Sequence, residues 1–314
     1  MVIFFSQIEA YEVKSRKVEL TPSALAYLRA RNADPMSSFG DFVALSDQVD
    51  EATALILKTE VSDGIIAPGY TPEALAILSK KKKGNFIVLE MDPAYNPPAE
   101  EYREVFGLGF MQKRNDAAIS YASLDNVVTE AKLTDEAKRD LTLASICLKY
   151  TQSNSVGYAK NGQMVGVGAG QQSRVDCMKL AARKVKVWYL RQHPKVAGLQ
   201  FKSGVKRQSR INARVRYIEG DFTPTEYTSW KELFESTPDA LTIAEKDEFM
   251  KTLGGVSLSS DAFFPFSDSI FVASKFGVKF ISQPGGSVAD ESVIAAVNSY
   301  GMAMAFTGQR LFHH

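Results

Sequence analysis

The segment Gly166-Val167-Gly168-Ala169-Gly170 leads from a strand-like stretch into a helix-like one, with Arg174 close behind. Glycines at such a junction let backbone N–H groups approach an anion at a helix N-terminus. Arg174, one turn into the expected helix, adds to the case for an anionic ligand. The spacing is not G-x-G-x-x-G and no P-loop lysine follows, so a dinucleotide or ATP site has little support. A tight structural turn is the other reading. Ser260-Asp261-Ala262-Phe263-Phe264-Pro265-Phe266-Ser267-Asp268 sets three aromatic rings between two aspartates. It reads as an apolar plug for the core, or as a stacking wall for a flat heterocycle with a carboxylate to accept from ring N–H groups. Thr151-Gln152-Ser153-Asn154-Ser155 gathers five hydrogen-bonding side chains, as a capping and turn cluster or as a polar floor for a ligand or cation. Lys80 to Lys83 read as a solvated helix end favoured by the dipole. The three histidines are His193, His313 and His314. With no H-x-E plus C-x-x-C and no H-E-x-x-H pattern, a zinc site is not expected.

The elements that would position these groups alternate between helix and strand. Thr71-Pro72-Glu73 combines an N-cap, a proline at the first helical position and an acid at the positive end of the dipole. That helix is expected to stop near Gly84, before a strand over Phe86 to Met91 and a loop over Asp92 to Pro98. A second helix runs from Thr134 to about Leu148, with Ala137, Leu141, Ala144 and Leu148 on one face. Asn161-Gly162 sits between two apolar runs and accepts the positive φ angles of a type I′ turn, which predicts a hairpin. A helix through Trp188 follows. Near the C-terminus a strand over Val278 to Ser282, a turn over Pro284 to Ser287, a helix over Asp290 to Tyr300 and a strand over Met302 to Phe306 form a βαβ unit. Asp221 to Met250 is more polar and reads as a helical insertion. The class is α/β, with two subdomains.

Composition narrows the function classes. The 314 residues are 45% hydrophobic and 23% charged, with 37 basic and 36 acidic residues for a net charge of +1. That balance gives no bulk electrostatic case for nucleic acid or an anionic membrane. No apolar run approaches the ~20 residues of a membrane span. Cys147 and Cys177 read as buried free thiols in a reducing compartment, and the chain reads as cytosolic.

Six stretches in this order resemble the 5-aminoimidazole-4-carboxamide ribonucleotide (AICAR) formyltransferase family: Met36 to Asp47, Glu60 to Gly69, Lys149 to Val156, Gly168 to Arg174, Ser259 to Phe266 and Arg310 to His314. In that family the formyltransferase is the C-terminal half of a bifunctional protein whose N-terminal half is IMP cyclohydrolase. The resemblance implies transfer of a formyl group from 10-formyltetrahydrofolate to the 5-amino group of AICAR, in de novo purine (IMP) synthesis. It further implies two cytidine-deaminase-like α/β/α subdomains without zinc, the first incomplete at its N-terminus, and a homodimer with active sites across the interface. The implied organisation is a poorly matching segment over 1–19, a first subdomain over 20–132, and a second over 133–314 carrying the insertion near 221–250. Position by position, the resemblance assigns Gly40, Asp63, Lys82, Asn154, Arg174, Phe263 and Arg310 to the AICAR pocket. Val175, Asp268, Ser287 and Val288 fall on folate positions. Leu148, Thr151, Ser153, Ser155, Asp261 and Leu311 match a potassium site.

Two departures from the family are visible. Its Lys-His-x-x-Pro motif, upstream of the Thr-Pro that matches Thr21-Pro22, has no counterpart in residues 1–21, which hold Lys14, Arg16 and Lys17 but no histidine. An Arg-Tyr pair that helps to hold AICAR is missing as well. An aromatic amine weakened by its carboxamide needs a positioned base. The expectation is therefore an N-terminally truncated formyltransferase of doubtful activity, with a catalytically silent nucleotide- or folate-binding or dimerisation module as the alternative.

Overall fold

The computed structural model describes residues 5–13 and 18–313. Lys14, Arg16, Lys17 and His314 lie outside the described residues. After helix α1 (Phe5–Ala10), helix α2 (Pro22–Arg31) is opened by Thr21, whose Oγ1 accepts from Ala24 N at 3.2 Å. Strand β1 (Asp41–Ala44), α3 (Glu51–Lys58), β2 (Ser62–Ala67), α4 (Pro72–Leu78) and β3 (Ile87–Glu90) then build a parallel sheet in the order β1-β2-β3. Val43, Ile65 and Ala67 face the three helices and pack on Leu28, Ile56, Leu57 and Leu78. The register places Phe42, Gly64 and Ile87 in one row and Ala44, Ile66 and Leu89 in the next, on the opposite face. Among the described residues no helix lies on that face, and Phe42, Ile87 and Leu89 stay 47%, 49% and 45% exposed. The described residues thus build two layers here, a sheet with helices on one face.

The helix opened by Thr71 does not reach Gly84. It ends at Leu78, the last residue with a core contact before Phe86, and a 3₁₀ turn (Lys81–Gly84) follows. Lys82 and Lys83 take φ of 51° and 57° there, a left-handed backbone that terminates the helix. Lys81 Nζ holds the turn by donating to the Glu60 carbonyl at 2.5 Å. The lysine run is therefore a turn, not a helix end.

A hairpin of β4 (Glu100–Val105) and β5 (Leu108–Lys113) stands apart from both large sheets. The second sheet has the order β10-β9-β8-β6-β7. It starts with α5 (Asp135–Lys149), capped by Thr134, and the hairpin β6 (Val156–Lys160) and β7 (Gln163–Gly168). Asn161 and Gly162 have φ of 54° and 71°, and both their N–H groups donate to the Asp140 carboxylate at 2.7 Å. Helix α6 (Arg174–Leu190) crosses β7 closely. A Cβ at Gly166 or Gly168 would fall 2.6 Å from the Ala181 carbonyl oxygen or 2.1 Å from that of Cys177. Those two glycines serve helix–strand packing.

The insertion begins earlier than expected, with α7 (Pro194–Ala197) and α8 (Arg207–Glu219) preceding α9 (Pro224–Lys231) and α10 (Ile243–Met250). These helices share their own core of Leu190, Val196, Tyr217, Trp230 and Phe234. The chain returns through β8 (Val256–Ser260), α11 (Asp268–Ser274), β9 (Val278–Gln283), α12 (Asp290–Ser299) and β10 (Ala303–Phe306). Strands β8, β9 and β10 are parallel, as the βαβ reading requires. Helix α6 covers one face of this sheet and α5 the other.

Polar contacts join the two halves. Gln163 bonds to Gln7, Tyr11 and Arg29, and Glu12 pairs with Arg207, Arg210 and Arg214. Both cysteines are free; Cys177 is buried, but Cys147 is only half-buried because it sits at the edge of the α5 core face. No helix among the described residues is long and apolar enough to cross a membrane.

Candidate functional site

At the carboxyl ends of the parallel strands of the second sheet, where ligands of open α/β sheets usually bind, lies a cavity of about 540 Å³. The first turn of α6 contributes Arg174 and Val175, the loop after β8 contributes Phe263, Phe266 and Asp268, and the C-terminal segment contributes Arg310 and Phe312. Asn154, just before β6, completes the wall. Six residues singled out in the sequence for AICAR or folate thus share one cavity.

Arg174 is the first residue of α6 rather than one turn in, because Ser173 is the N-cap and accepts from Asp176 N at 3.1 Å. Its Nη1 donates to Asp261 Oδ1 at 2.5 Å and to the Ser155 carbonyl at 2.8 Å, and its Nη2 to Asn154 Oδ1 at 3.3 Å. Its buried Nε has no acceptor. Asp261 is fully buried, so the pair is charge-neutral inside the protein and Arg174 acts first as a structural partner. Asn154 Nδ2 donates to the Gln171 carbonyl at 3.0 Å, so its amide is also engaged.

Arg310 is the cation with no carboxylate partner in the cavity. Its guanidinium lies 5.6 Å from the centre of the Phe263 ring, a cation–π distance. The aromatic loop divides its tasks. Phe264 is fully buried in the core, where its N–H donates to Gln283 Oε1 at 2.7 Å, while Phe263 is half-buried and Phe266 is 66% exposed at the cavity. Phe264 fits the reading as a core plug, and Phe263 and Phe266 are left at the cavity. Phe312 and Gln172 also line the cavity. Phe312 belongs to the motif ending at His314, and only its neighbours were assigned from sequence.

The remaining assigned residues lie elsewhere. Gly40, Asp63 and Lys82 cluster at the amino ends of β1 and β2, where Lys82 Nζ pairs with Asp63 Oδ1 and a Cβ on Gly40 would stand 3.8 Å from Asp63 Oδ2. They do not line the cavity. Ser287 and Val288 follow β9 at the same sheet edge as the cavity but outside its wall; Val288 is fully exposed and Ser287 N donates to Asp290 Oδ2 at 3.2 Å.

The six positions matched to potassium centre on Asp261. Its Oδ2 accepts from Ser153 Oγ at 2.6 Å and from both Ser155 N and Oγ at 3.0 Å, while its carbonyl accepts from Leu311 N at 2.9 Å. With Arg174 on Oδ1, four protein donors surround this carboxylate, three of them on Oδ2. Thr151 Oγ1 turns away to donate to the Cys147 carbonyl at 2.7 Å, and Leu148 O accepts from Thr151 N at 3.0 Å. In this arrangement these groups bond to one another and brace the turn.

Burial pushes the Cys177 thiol up, only partly offset by Arg174, and its Sγ donates to the Asn154 carbonyl at 3.1 Å, so it is no nucleophile. The titratable groups of the cavity are Arg174, Asp268 and Arg310, with no histidine or lysine among the lining residues. Such a site can hold an anionic, flat ligand. Asp268 is the one carboxylate among its lining residues.

Residues 18–184 match the family model described as AICARFT/IMPCHase bienzyme. The bifunctional purine biosynthesis protein PurH of Cereibacter sphaeroides is 34% identical over 291 residues, covering 93% of this chain and 45% of that protein. PurH of Aquifex aeolicus is 35% identical over 289 residues, covering 92% and 44%. The chain thus spans less than half the length of these curated relatives. With just over half of its residues inside the family model, this chain belongs to the AICARFT/IMPCHase bienzyme family.

Proposed function

We propose that this chain carries the formyl-transfer site of the family, binding AICAR and 10-formyltetrahydrofolate as part of purine biosynthesis. The observation that supports this most directly is the meeting of Asn154, Arg174, Val175, Phe263, Asp268 and Arg310 in one cavity. In the reaction the 5-amino nitrogen attacks the formyl carbon, the bond from that carbon to folate N10 breaks, and the proton lost by the amine must be replaced on N10. Phe263 and Phe266 stack on a ring, Arg310 neutralises an anionic group, and Asp268 accepts from a ring N–H. Arg174, held by Asp261, fixes Asn154. Holding the reactants together accelerates transfer, but the sequence contains no Lys-His dipeptide and the cavity lining holds neither histidine nor lysine. That observation favours a second reading, a binding module with little turnover of its own.

The cluster of Gly40, Asp63 and Lys82 outside the cavity supports a homodimer in which each site draws on two copies. Potassium has no part in the proposal. A folate-based formyl-transfer assay decides between the readings. The chain alone is expected to be at least ~100-fold slower than a form carrying a Lys-His pair ahead of Thr21. Equal rates would mean that the base lies elsewhere in this chain.

A further inference from the structure

A second cavity, of about 620 Å³, lies where the two halves of the molecule meet. It shares no lining residue with the first. Helix α2 supplies Ala26 and Ala30, while α5 and β7 supply Leu143, Met164 and Val167. Strand β7 is the edge of its sheet, and no further described strand pairs with it on this side. The two alanines, one helical turn apart, keep the space open. Small-molecule sites are commonly cavities of this size with a mainly apolar wall and a few polar groups, and boundaries between domains are a usual place for them.

Charge in this cavity is not fully paired. Two acids line it and each already holds a cation, Asp34 with Lys184 at 3.0 Å and Asp41 with Arg31 at 2.8 Å. Arg29 is different. Only 2% exposed, it donates Nε to Gln163 Oε1 at 3.2 Å and Nη2 to the Asn161 carbonyl at 2.7 Å, and neither acceptor is charged. Its Nη1 is left without a protein acceptor. Burial pulls the pKa of Arg29 down, only partly offset by Tyr11 and Asp140. Asp140 itself is taken by Arg139 and by the N–H groups of Asn161 and Gly162. Burying a charge is costly unless it is paired. Gln163, bonded in turn to Tyr11 and to the Arg29 carbonyl, holds the guanidinium in place.

We propose that this cavity is a binding site for a small monocarboxylate with an apolar body, its head on Arg29 and its body against Leu143, Met164 and Val167. Charge sets the class. One carboxylate neutralises the one cation left over, whereas a phosphate dianion brings surplus negative charge beside Asp34 and Asp41. Such a ligand touches both halves and ties α2 to the second sheet. The inference is independent of the formyl-transfer reading.

Titration calorimetry on the whole chain with hexanoate, hexan-1-ol and hexyl phosphate tests it. Hexanoate should bind at least about tenfold tighter than hexan-1-ol, the scale of one charge-assisted hydrogen bond, and tighter than hexyl phosphate. It should also raise the melting midpoint, as a ligand of the folded state does. Arg29→Gln should remove the advantage over the alcohol while hexan-1-ol still binds. Because Arg29 also braces the seam, Ala26→Leu serves as a second variant. It fills the cavity from α2 without altering Arg29, and should weaken hexanoate and hexan-1-ol alike. Arg310→Ala, in the other cavity, should leave hexanoate affinity unchanged. Hexanoate binding no better than the alcohol, binding that survives Ala26→Leu, or binding lost with Arg310→Ala would overturn the proposal. Tighter binding of hexyl phosphate would overturn the carboxylate assignment.

Discussion

The two large sheets solve the same packing problem to different extents. Parallel strands are normally covered on both faces, and the second sheet meets that rule. Strand β8 is buried along its whole length, with α5 packed on it, and α6 covers β6 and β7 on the other face of the sheet. The first sheet buries only the side facing α2, α3 and α4, and leaves Phe42, Ile87 and Leu89 half exposed. The polar groups follow the same division. In the second half Arg174 and Asp261 form a buried pair braced by Ser153 and Ser155. In the first half Lys82 and Asp63 pair in the open, 41% and 57% exposed. A covered sheet can hold a preorganised site, because its buried charges have fixed partners. An uncovered one presents groups whose geometry solvent can still alter.

The largest expected effect tests the covered half. Asp261→Ala leaves Arg174 buried with its countercharge gone and removes the acceptor of Ser153 and Ser155. Breaking a buried pair this way costs about 3–5 kcal/mol, to be read as a loss of unfolding free energy in urea. A loss below about 1 kcal/mol would erase the distinction between the two halves. Arg310→Ala comes next. Arg310 has no carboxylate partner in the cavity, so its loss should weaken AICAR binding by about 1.5–3 kcal/mol, the scale of a charge-assisted hydrogen bond, with stability nearly unchanged. Calorimetry and thermal melts on the same variant separate the two effects.

Local rules in the sequence located most elements but few of the partnerships. Thr71, Thr134 and Asn161-Gly162 act where their chemistry predicts, because caps and type I′ turns depend on neighbours a few residues away. The β4–β5 hairpin escaped notice because its turn is Phe106-Gly107. Phe106 takes a φ of 52°, a conformation that bulky residues rarely adopt, and neither strand alternates between core and solvent. The early start of the insertion was hidden because α8 is rich in arginine, whose partners Glu12 and Glu60 lie about 150 to 200 residues away. At the site, six of the residues assigned from the resemblance share one cavity. What stayed illegible was that Asp261, 87 positions beyond Arg174, would neutralise it and leave Arg310 as the cation of the cavity.

The seam between the halves gives a smaller, pH-dependent effect. Burial raises the Glu12 carboxyl, but Arg210 and Arg214 outweigh it and hold the group at about 2, below an ordinary value of 4.5. A depressed carboxylate contributes stability that is complete above the unfolded value and is lost as pH falls through the folded one. The loss therefore belongs to the window from about 4.5 down to about 2. Glu12→Gln should be less stable than the native chain at pH 7, and the gap should close as pH falls through that window. Parallel curves from pH 7 to 2 would show that the seam does not depend on Glu12.

The smallest effect belongs to the uncovered half. Asp63→Ala removes the partner of Lys82 where both groups stay wet, and exposed pairs of this kind contribute between 0 and about 1 kcal/mol. Unfolding in urea should thus barely register the change, and less still at high salt, where exposed charges are screened. The turn that carries Lys82 is held by the Lys81 bond to the Glu60 carbonyl, with Glu60 fixed in turn by Arg31 and Arg207, so it should keep its shape. What Asp63→Ala frees is the ammonium itself. If this cluster completes a site in a second copy, the substitution should change AICAR affinity in the assembled protein by more than it changes stability. If it is only a surface pair, both should stay flat. A stability loss as large as that of Asp261→Ala would refute the contrast between the sheets, because it would require the Lys82–Asp63 pair to be as shielded from water as the pair behind Arg174.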